Sequence, residues 1–94
     1  MRESYIEGRV KLWAVAHGVL PLKISPMGVT GYPDDLFLFG GRVCFIEFKA
    51  PGKKPKPLQA ARIADLQRRG YAVAVIDDIK SGNNFLTEAL ALVV

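Results

Sequence analysis

The chain has 94 residues, which is enough for one small domain and too few for two separate cores. Half of the residues are hydrophobic and 23% are charged, a balance typical of a folded protein rather than a disordered tail. Thirteen Lys and Arg residues against nine Asp and Glu give a net charge of +4, which favours polyanionic partners without distinguishing nucleic-acid binding from simple solubility. We expect a single domain over residues 1–94.

The sequence also bears on the compartment. No apolar run approaches the roughly 20 residues that span a bilayer, and the polar start at Met1 lacks the apolar core of a signal peptide. The lone Cys44 has no partner for an internal disulfide and excludes a zinc site built from cysteines. A cytoplasmic protein is therefore the expectation.

The first third of the chain predicts a helix, a strand and a loop. Apolar residues recur at helical spacing over Ser4–His17, and Gly18 stands where a helix would end. Alternation over Val19–Ser25 predicts a half-buried strand, and Pro21 confines that strand to a sheet edge. Gly and Pro dominate residues 26–33, which we interpret as a loop.

The middle of the chain predicts a hairpin followed by a helix. Two short apolar runs, Leu36–Phe39 and Arg42–Phe48, are separated only by Gly40-Gly41, a strong signal for a two-residue turn. A basic loop rich in Pro then covers residues 50–57. Pro57 suits the first turn of a helix over Leu58–Arg69, which Gly70 ends.

The last third predicts a strand and a final helix. Tyr71–Ile76 is nearly continuously apolar, as expected for a strand covered on both faces. Asn83 or Asn84 would then cap a last helix over Phe85–Val93. The fold class is therefore α/β, in the order α-β-β-β-α-β-α, with a mixed sheet flanked by helices.

The hairpin predicts which side chains meet. A Gly40-Gly41 turn pairs Phe39 with Arg42, so that the numbers of opposed residues sum to 81 and Asp34 faces Glu47. Opposed residues point to the same side of a sheet, and alternation places Lys49 on that side as well. Two close carboxylates repel, and a divalent cation between them removes this conflict. With a nearby lysine, such a cation can support phosphodiester hydrolysis. The alternative is a surface cluster of ion pairs on an exposed sheet face.

A family resemblance rests on these residues. Gly31-Tyr32-Pro33-Asp34, Glu47-Phe48-Lys49, Gln59 and the helix residue Glu7 resemble the VRR-NUC family of the PD-(D/E)xK nuclease superfamily, and the match covers nearly the whole chain. The resemblance implies the restriction-endonuclease-like core, whose order of helix, three strands, helix and strand agrees with the elements predicted above.

The resemblance also implies roles for individual residues. Asp34, Glu47 and the backbone carbonyl of Phe48 would ligate Mg²⁺ or Mn²⁺, and Lys49 would be catalytic. Glu7 would orient the water of the metal or approach a second ion, and the alternative for Glu7 is an ion pair with Lys11 one turn on.

Further site residues are expected outside this centre. Gln59 would correspond to the glutamine that opens the second helix of the family, or it is an exposed residue of the first turn. Basic residues are candidates for phosphate contacts or for ordinary solvated charge; they are Lys23, Arg42, Lys53, Lys54 and Lys56.

The expected function is that of a metal-dependent endonuclease acting on DNA in a bacterial or phage-infected cell. The preference for branched, flap or junction DNA comes from the family alone. One chain offers one active site, so that a symmetric cut through two strands requires a two-fold homodimer. The apolar segment from Phe85 to Val94 is a candidate for the contact, although it also suits packing against its own sheet. The competing hypothesis is a non-catalytic DNA-binding or assembly module on the same fold.

Overall fold

The computed structural model describes residues 1–24 and 30–94. The elements are α1 (Glu3–Ala16), β1 (Leu20–Lys23), β2 (Asp35–Phe39), β3 (Arg42–Phe48), α2 (Pro57–Arg68), β4 (Ala72–Ile76) and α3 (Ile79–Ala89). This is the predicted order. The end of the predicted first strand and the start of the predicted loop fall on residues 25–29, outside the described residues.

The four strands form one mixed sheet in the order β1-β2-β3-β4. β2 is antiparallel to both β1 and β3. β4 is parallel to β3, because α2 carries the chain back to the end of the sheet where β3 begins. Gly40 and Gly41 both have positive φ, 57° and 79°, which the two-residue turn requires. Phe39 pairs with Arg42 as predicted, and the register continues to Asp35 opposite Ile46.

The main core lies between one face of the sheet and helices α1 and α3. The sheet contributes Phe37, Cys44, Ile46 and Phe48, all fully buried, and the helices contribute Ile6, Val10, Ala14, Leu86 and Leu90. The expectation that Cys44 belongs to the core is confirmed. Gly82 lets α1 and α3 approach closely, since a Cβ at this position would lie 2.7 Å from Cγ2 of Val10.

The bounds predicted for the last helix were wrong. Helix α3 begins at Ile79 rather than Phe85, because the carboxylate of Asp78 caps it by accepting the backbone N–H of Ser81 at 2.7 Å. The helix then ends at Ala89. Asn83 lies inside it and caps nothing at its start.

The apolar C-terminal segment serves mainly its own domain. Leu86, Leu90 and Leu92 are buried in the main core, and Val93 and Val94 are the large apolar residues of this segment that are exposed. The segment therefore offers little surface to a second chain.

Helix α2 packs on the opposite face of the sheet, near β4. Ile63 of α2 and Val73 of β4 are both buried, and the Gln67 side chain donates a hydrogen bond to the Val73 carbonyl. The prediction that β4 is covered on both faces was wrong in part: β4 lies at a sheet edge, and Val75 is 39% exposed because α2 covers only part of this face.

The rest of that face carries an apolar surface that α2 leaves open. The register aligns Leu20 with Leu38 and Val43, and Leu22 with Leu36 and Phe45. We call these six residues the open apolar face. β1 lies at the sheet edge, as Pro21 predicted, but its leucines are exposed rather than half-buried because α1 packs on the other side.

In the described part of the chain, no helix combines the length and the apolar character needed to cross a membrane.

Candidate active site

Asp34 and Glu47 meet at the end of the β2–β3 hairpin. The last paired positions of the ladder are Asp35 and Ile46, and the same register places Asp34 opposite Glu47. The Asp34 carbonyl accepts the N–H of Ile24 at 2.9 Å, so the main chain of Asp34 is hydrogen-bonded toward β1. The pair Asp34–Glu47 is therefore one without mutual backbone hydrogen bonds, the arrangement in which opposed side chains come closest.

The β2–β3 ladder changes at the end where Asp34 lies. The next partner of Phe48 by register would be Pro33, which has no N–H to donate to the Phe48 carbonyl. The Phe48 N–H donates to Asp34 Oδ2 at 2.8 Å. In an extended strand the N–H and C=O of one residue point to the same side, so the Phe48 carbonyl is also directed toward Asp34.

Lys49 is held beside Glu47. Its Nζ lies 3.3 Å from Glu47 Oε2, and its side chain is only 12% exposed. The Lys49 N–H donates to the Ile76 carbonyl at 2.9 Å, which fixes its main chain against the end of β4. An amine and two carboxylates thus converge at one corner of the sheet.

The surroundings of Glu47 disfavour its ionised form. Burial of Glu47 raises the pKa of its carboxyl, and the negative charge of Asp34 raises it further. Lys49 lowers the pKa without cancelling these effects. A group of positive charge between the two acids would relieve the cost of ionising both.

The oxygen atoms at this corner fit a divalent cation. Mg²⁺ binds one or two carboxylates, keeps several waters and accepts phosphate oxygens of a substrate. Asp34, Glu47 and the Phe48 carbonyl supply oxygen donors of this kind. Among the residues that the structure describes, no three acidic, histidine or cysteine side chains group as a metal site, so solvent or substrate would have to complete the coordination.

Glu7 lies in a neighbouring cluster rather than with the acid pair. Its Oε2 is 2.8 Å from Lys23 Nζ and 3.9 Å from Lys11 Nζ. Burial acts to raise the pKa of Glu7, but interactions with Asp35, Lys23 and Lys11 outweigh burial and lower the pKa. The alternative, an ion pair with Lys11, is present, and Lys23 is a closer partner.

Asp35 is a buried acid that sequence reasoning missed. It is fully buried, Lys11 Nζ lies 3.3 Å from its Oδ1, and its Oδ2 has no hydrogen-bond donor among the described residues. Burial and the neighbouring Glu7 carboxylate raise the pKa of Asp35 to about 7. The signal was in the strand period, because a residue next to outward-facing Asp34 points to the core.

Comparisons with known proteins agree with this geometry. No family model matches the sequence. The chain is 37% identical over 78 residues to "Putative nuclease p44" of Acyrthosiphon pisum secondary endosymbiont phage 1, covering 82% of this chain and 84% of that protein. A solved structure described as a VRR_NUC domain is 32% identical, with a TM-score of 0.82 over 92% of this chain and 94% of that one. The chain belongs to the VRR-NUC family of nucleases. A further solved VRR_NUC domain protein, 23% identical, shares the fold with a TM-score of 0.79 over 99% of this chain and 91% of that one.

In this VRR-NUC domain, Gln59 lies in the first turn of α2 as predicted. Its Oε1 accepts the N–H of Lys56 at 2.9 Å, which satisfies a donor at the start of the helix. This contact gives Gln59 a structural use in addition to the role that the resemblance implies.

The basic candidates of this VRR-NUC domain divide into two groups. Lys53, Lys54 and Lys56 are exposed on the loop that follows Lys49. We call residues 50–56 the basic loop, and its Gly52 N–H donates to Asp77 Oδ2 at 3.0 Å, which ties the loop to the end of β4.

The other two basic candidates lie elsewhere. Lys23 is close to the acids but is engaged by Glu7. Arg42 lies at the turn end of β3, five residues before Glu47, which at about 3.4 Å per residue is roughly 17 Å away. The structure thus does not bring Arg42 to the acid pair.

Proposed function

We propose that this VRR-NUC domain is a divalent-metal-dependent endonuclease that hydrolyses phosphodiester bonds in DNA. The observation that carries the proposal is the convergence of Asp34, Glu47 and Lys49 at one corner of the sheet, with Glu47 buried and its pKa raised beside a second acid. A surface ion-pair cluster would leave such an acid solvated, whereas a cation site uses the two acids together.

Each residue has a role in this proposal. Asp34, Glu47 and the Phe48 carbonyl hold Mg²⁺ or Mn²⁺, which supplies an activated water and charge neutralisation on the phosphate. Lys49 positions the attacking water and the phosphate, since its ammonium is already fixed beside Glu47. Glu7 approaches the centre from α1, which requires it to release Lys23. Gln59 orders the start of α2 beside the basic loop.

The proposal also covers the DNA substrate and the oligomeric state of the protein. The proposed substrate is branched, flap or junction DNA in the cytoplasm of a bacterial or phage-infected cell. Lys53, Lys54 and Lys56 are the proposed phosphate contacts. Lys23 and Arg42 are weaker candidates for the same role, because one is engaged by Glu7 and the other is distant. The proposed active form is a two-fold homodimer, since a symmetric cut needs two sites.

The test is a panel of end-labelled linear duplex, flap and four-way junction DNA at equal concentration. Each substrate is incubated with Mg²⁺, with Mn²⁺ and with EDTA. We expect products with either metal, more from branched than from linear DNA, and none with EDTA. Retention of DNA without cleavage in every lane would instead support a non-catalytic binding module, and equal cutting of linear duplex would contradict structure selectivity.

Substitution of the central residues tests the assigned roles. We expect Glu47→Ala and Lys49→Ala to lower the cleavage rate by at least about 100-fold while leaving the fold and most DNA affinity intact, because both act on the reacting group. Rates are measured in single turnover and affinity by fluorescence anisotropy. Matched controls are Glu88→Ala and Lys80→Ala, exposed residues of α3. A variant of Glu47 or Lys49 that cuts at the control rate would contradict its role.

A further inference from the structure

Arg62 of helix α2 makes two contacts with the short segment before Asp34. Its Nε donates to the Thr30 carbonyl at 3.2 Å, and its guanidinium carbon lies 5.0 Å from the ring centroid of Tyr32. Arg62 is half-buried by these contacts. A guanidinium over an aromatic face combines cation–π attraction with apolar contact.

The backbone of the same segment lies directly on α2. Gly31 has a φ of 87°, and a Cβ at this position would lie 2.7 Å from Cγ of Leu58 and 3.1 Å from Cγ of Arg62. Leu58 and Arg62 are four residues apart and share one face of the helix. Residues 30–32 are therefore fitted against this face, and glycine is required for the fit.

The segment leads straight to the acid pair. Pro33 is fully buried, and Asp34 follows it without being part of a strand. Contacts described above hold Asp34 from the sheet side through Ile24 and Phe48. Arg62 supplies the restraint from the helix side. Positioning matters here because a displacement of about 1 Å can cost roughly 100-fold in rate.

We propose that Arg62 is a positioning residue: by holding Thr30 and Tyr32 on α2, it fixes the carboxylate of Asp34 in its place opposite Glu47. The catalytic consequence rests on the proposed nuclease function, but the structural consequence does not. When the segment loosens, Asp34 Oδ2 loses its fixed relation to the Phe48 N–H, and that amide becomes a reporter of the position of Asp34.

The first test is hydrogen exchange of the Phe48 amide by NMR in metal-free, DNA-free protein. We expect Arg62→Ala to speed exchange about tenfold, since a hydrogen bond and a cation–π contact are lost together. Arg68→Ala is the matched control, because it removes an equal charge from the same helix at an exposed position whose ion pair is with Asp65. Arg62→Lys should restore part of the protection. Tyr32→Leu should speed exchange while leaving the Arg62 charge in place, and it keeps the test decisive if Arg62→Ala fails to fold.

The second test separates positioning from DNA contact. Arg62→Ala should lower kcat about tenfold with KM for DNA changed by less than about twofold. Unchanged Phe48 exchange in Arg62→Ala and Tyr32→Leu would overturn the proposal. A raised KM with unchanged kcat would do so as well, since it would make Arg62 a phosphate contact. Fast exchange in the variants combined with no cleavage by wild type would retain the positioning role and reject the nuclease function.

Discussion

Two adjacent aspartates show how strongly position decides the chemistry of a residue. Asp34 faces Glu47 at the candidate active site, whereas Asp35 points to the other side of the sheet, into the core beneath α1. Glu7, Lys11 and Asp35 form a buried or half-buried cluster there. The cluster borders the candidate active site, and Glu7 is the member to which we assign a role in both.

The raised pKa of Asp35 predicts the direction in which stability changes with pH. The folded protein keeps a proton on Asp35 up to a pKa of about 7, whereas the unfolded chain loses it near the ordinary aspartate pKa of 3.8. The unfolding free energy of metal-free protein should therefore fall as pH rises through this window. We expect the melting temperature in EDTA to drop between about pH 5 and about pH 8, and Asp35→Asn to reduce that drop.

A matched substitution isolates the contribution of Asp35 to the change of melting temperature with pH. Glu88→Gln removes an exposed carboxylate of α3 and should keep the wild-type change with pH. Glu47, whose pKa is also raised by burial, contributes a change of the same sign in every one of these proteins. Equal drops in wild type and Asp35→Asn would show that Asp35 does not hold its proton near neutral pH.

At the scale of elements, the basic loop joins the candidate active site to α2. It begins directly after Lys49, and its Gly52 N–H donates a hydrogen bond to Asp77. It ends at Lys56, whose N–H donates a hydrogen bond to the Gln59 side chain. The lysines of the loop thus extend from a fixed backbone next to the acid pair. This placement suits contacts to phosphates on either side of the bond that is cut.

The basic loop predicts a change in the salt dependence of DNA binding. Replacing Lys53 and Lys54 together by Ala should weaken binding and reduce the slope of log affinity against log salt by about two, one for each lost phosphate contact. The comparison protein is Arg9→Ala with Lys80→Ala, which removes two exposed charges from other elements. Binding is measured by anisotropy over a salt series without metal. Identical slopes in the two double variants would assign the lysines to general surface charge.

At the scale of the whole molecule, the sheet is covered unequally. One face is closed by α1 and α3, and the other is closed by α2 only near β4, which leaves the open apolar face. This face carries no charged residue and lies on the same side of the sheet as Glu47. It is the surface that we assign to the two-fold contact of the proposed homodimer, since an exposed apolar patch can mark a protein–protein contact.

The open apolar face predicts how a homodimer would be disrupted. We expect sedimentation at twice the chain mass of 10.3 kDa. Leu20→Asp with Val43→Asp should give monomers, because these exposed residues would bring like charges together in a two-fold contact. Leu12→Asp with Val15→Asp changes a comparably exposed leucine and valine on α1 and should remain dimeric. A monomeric wild type, or dimers in both double variants, would contradict this assignment.

Much of the site followed from local rules in the sequence. Two glycines with positive φ set the turn, the turn sets the register, and the two-residue period of a strand places Glu47 and Lys49 on one side. The turn residue preferences and the strand period depend on neighbours in the chain. That is why the order of elements and the meeting of Asp34 with Glu47 could be predicted.

Only the tertiary structure decided what packs against what. The Asp78 cap that starts α3 is local, but glycine is a poor helix former, and the place of Gly82 within α3 depends on its close fit against Val10. The proton held by Asp35 depends on α1 covering it, and the contact of Arg62 with Tyr32 depends on where α2 crosses the sheet. These features arise from residues distant in sequence, so their energies appear only when the chain has folded.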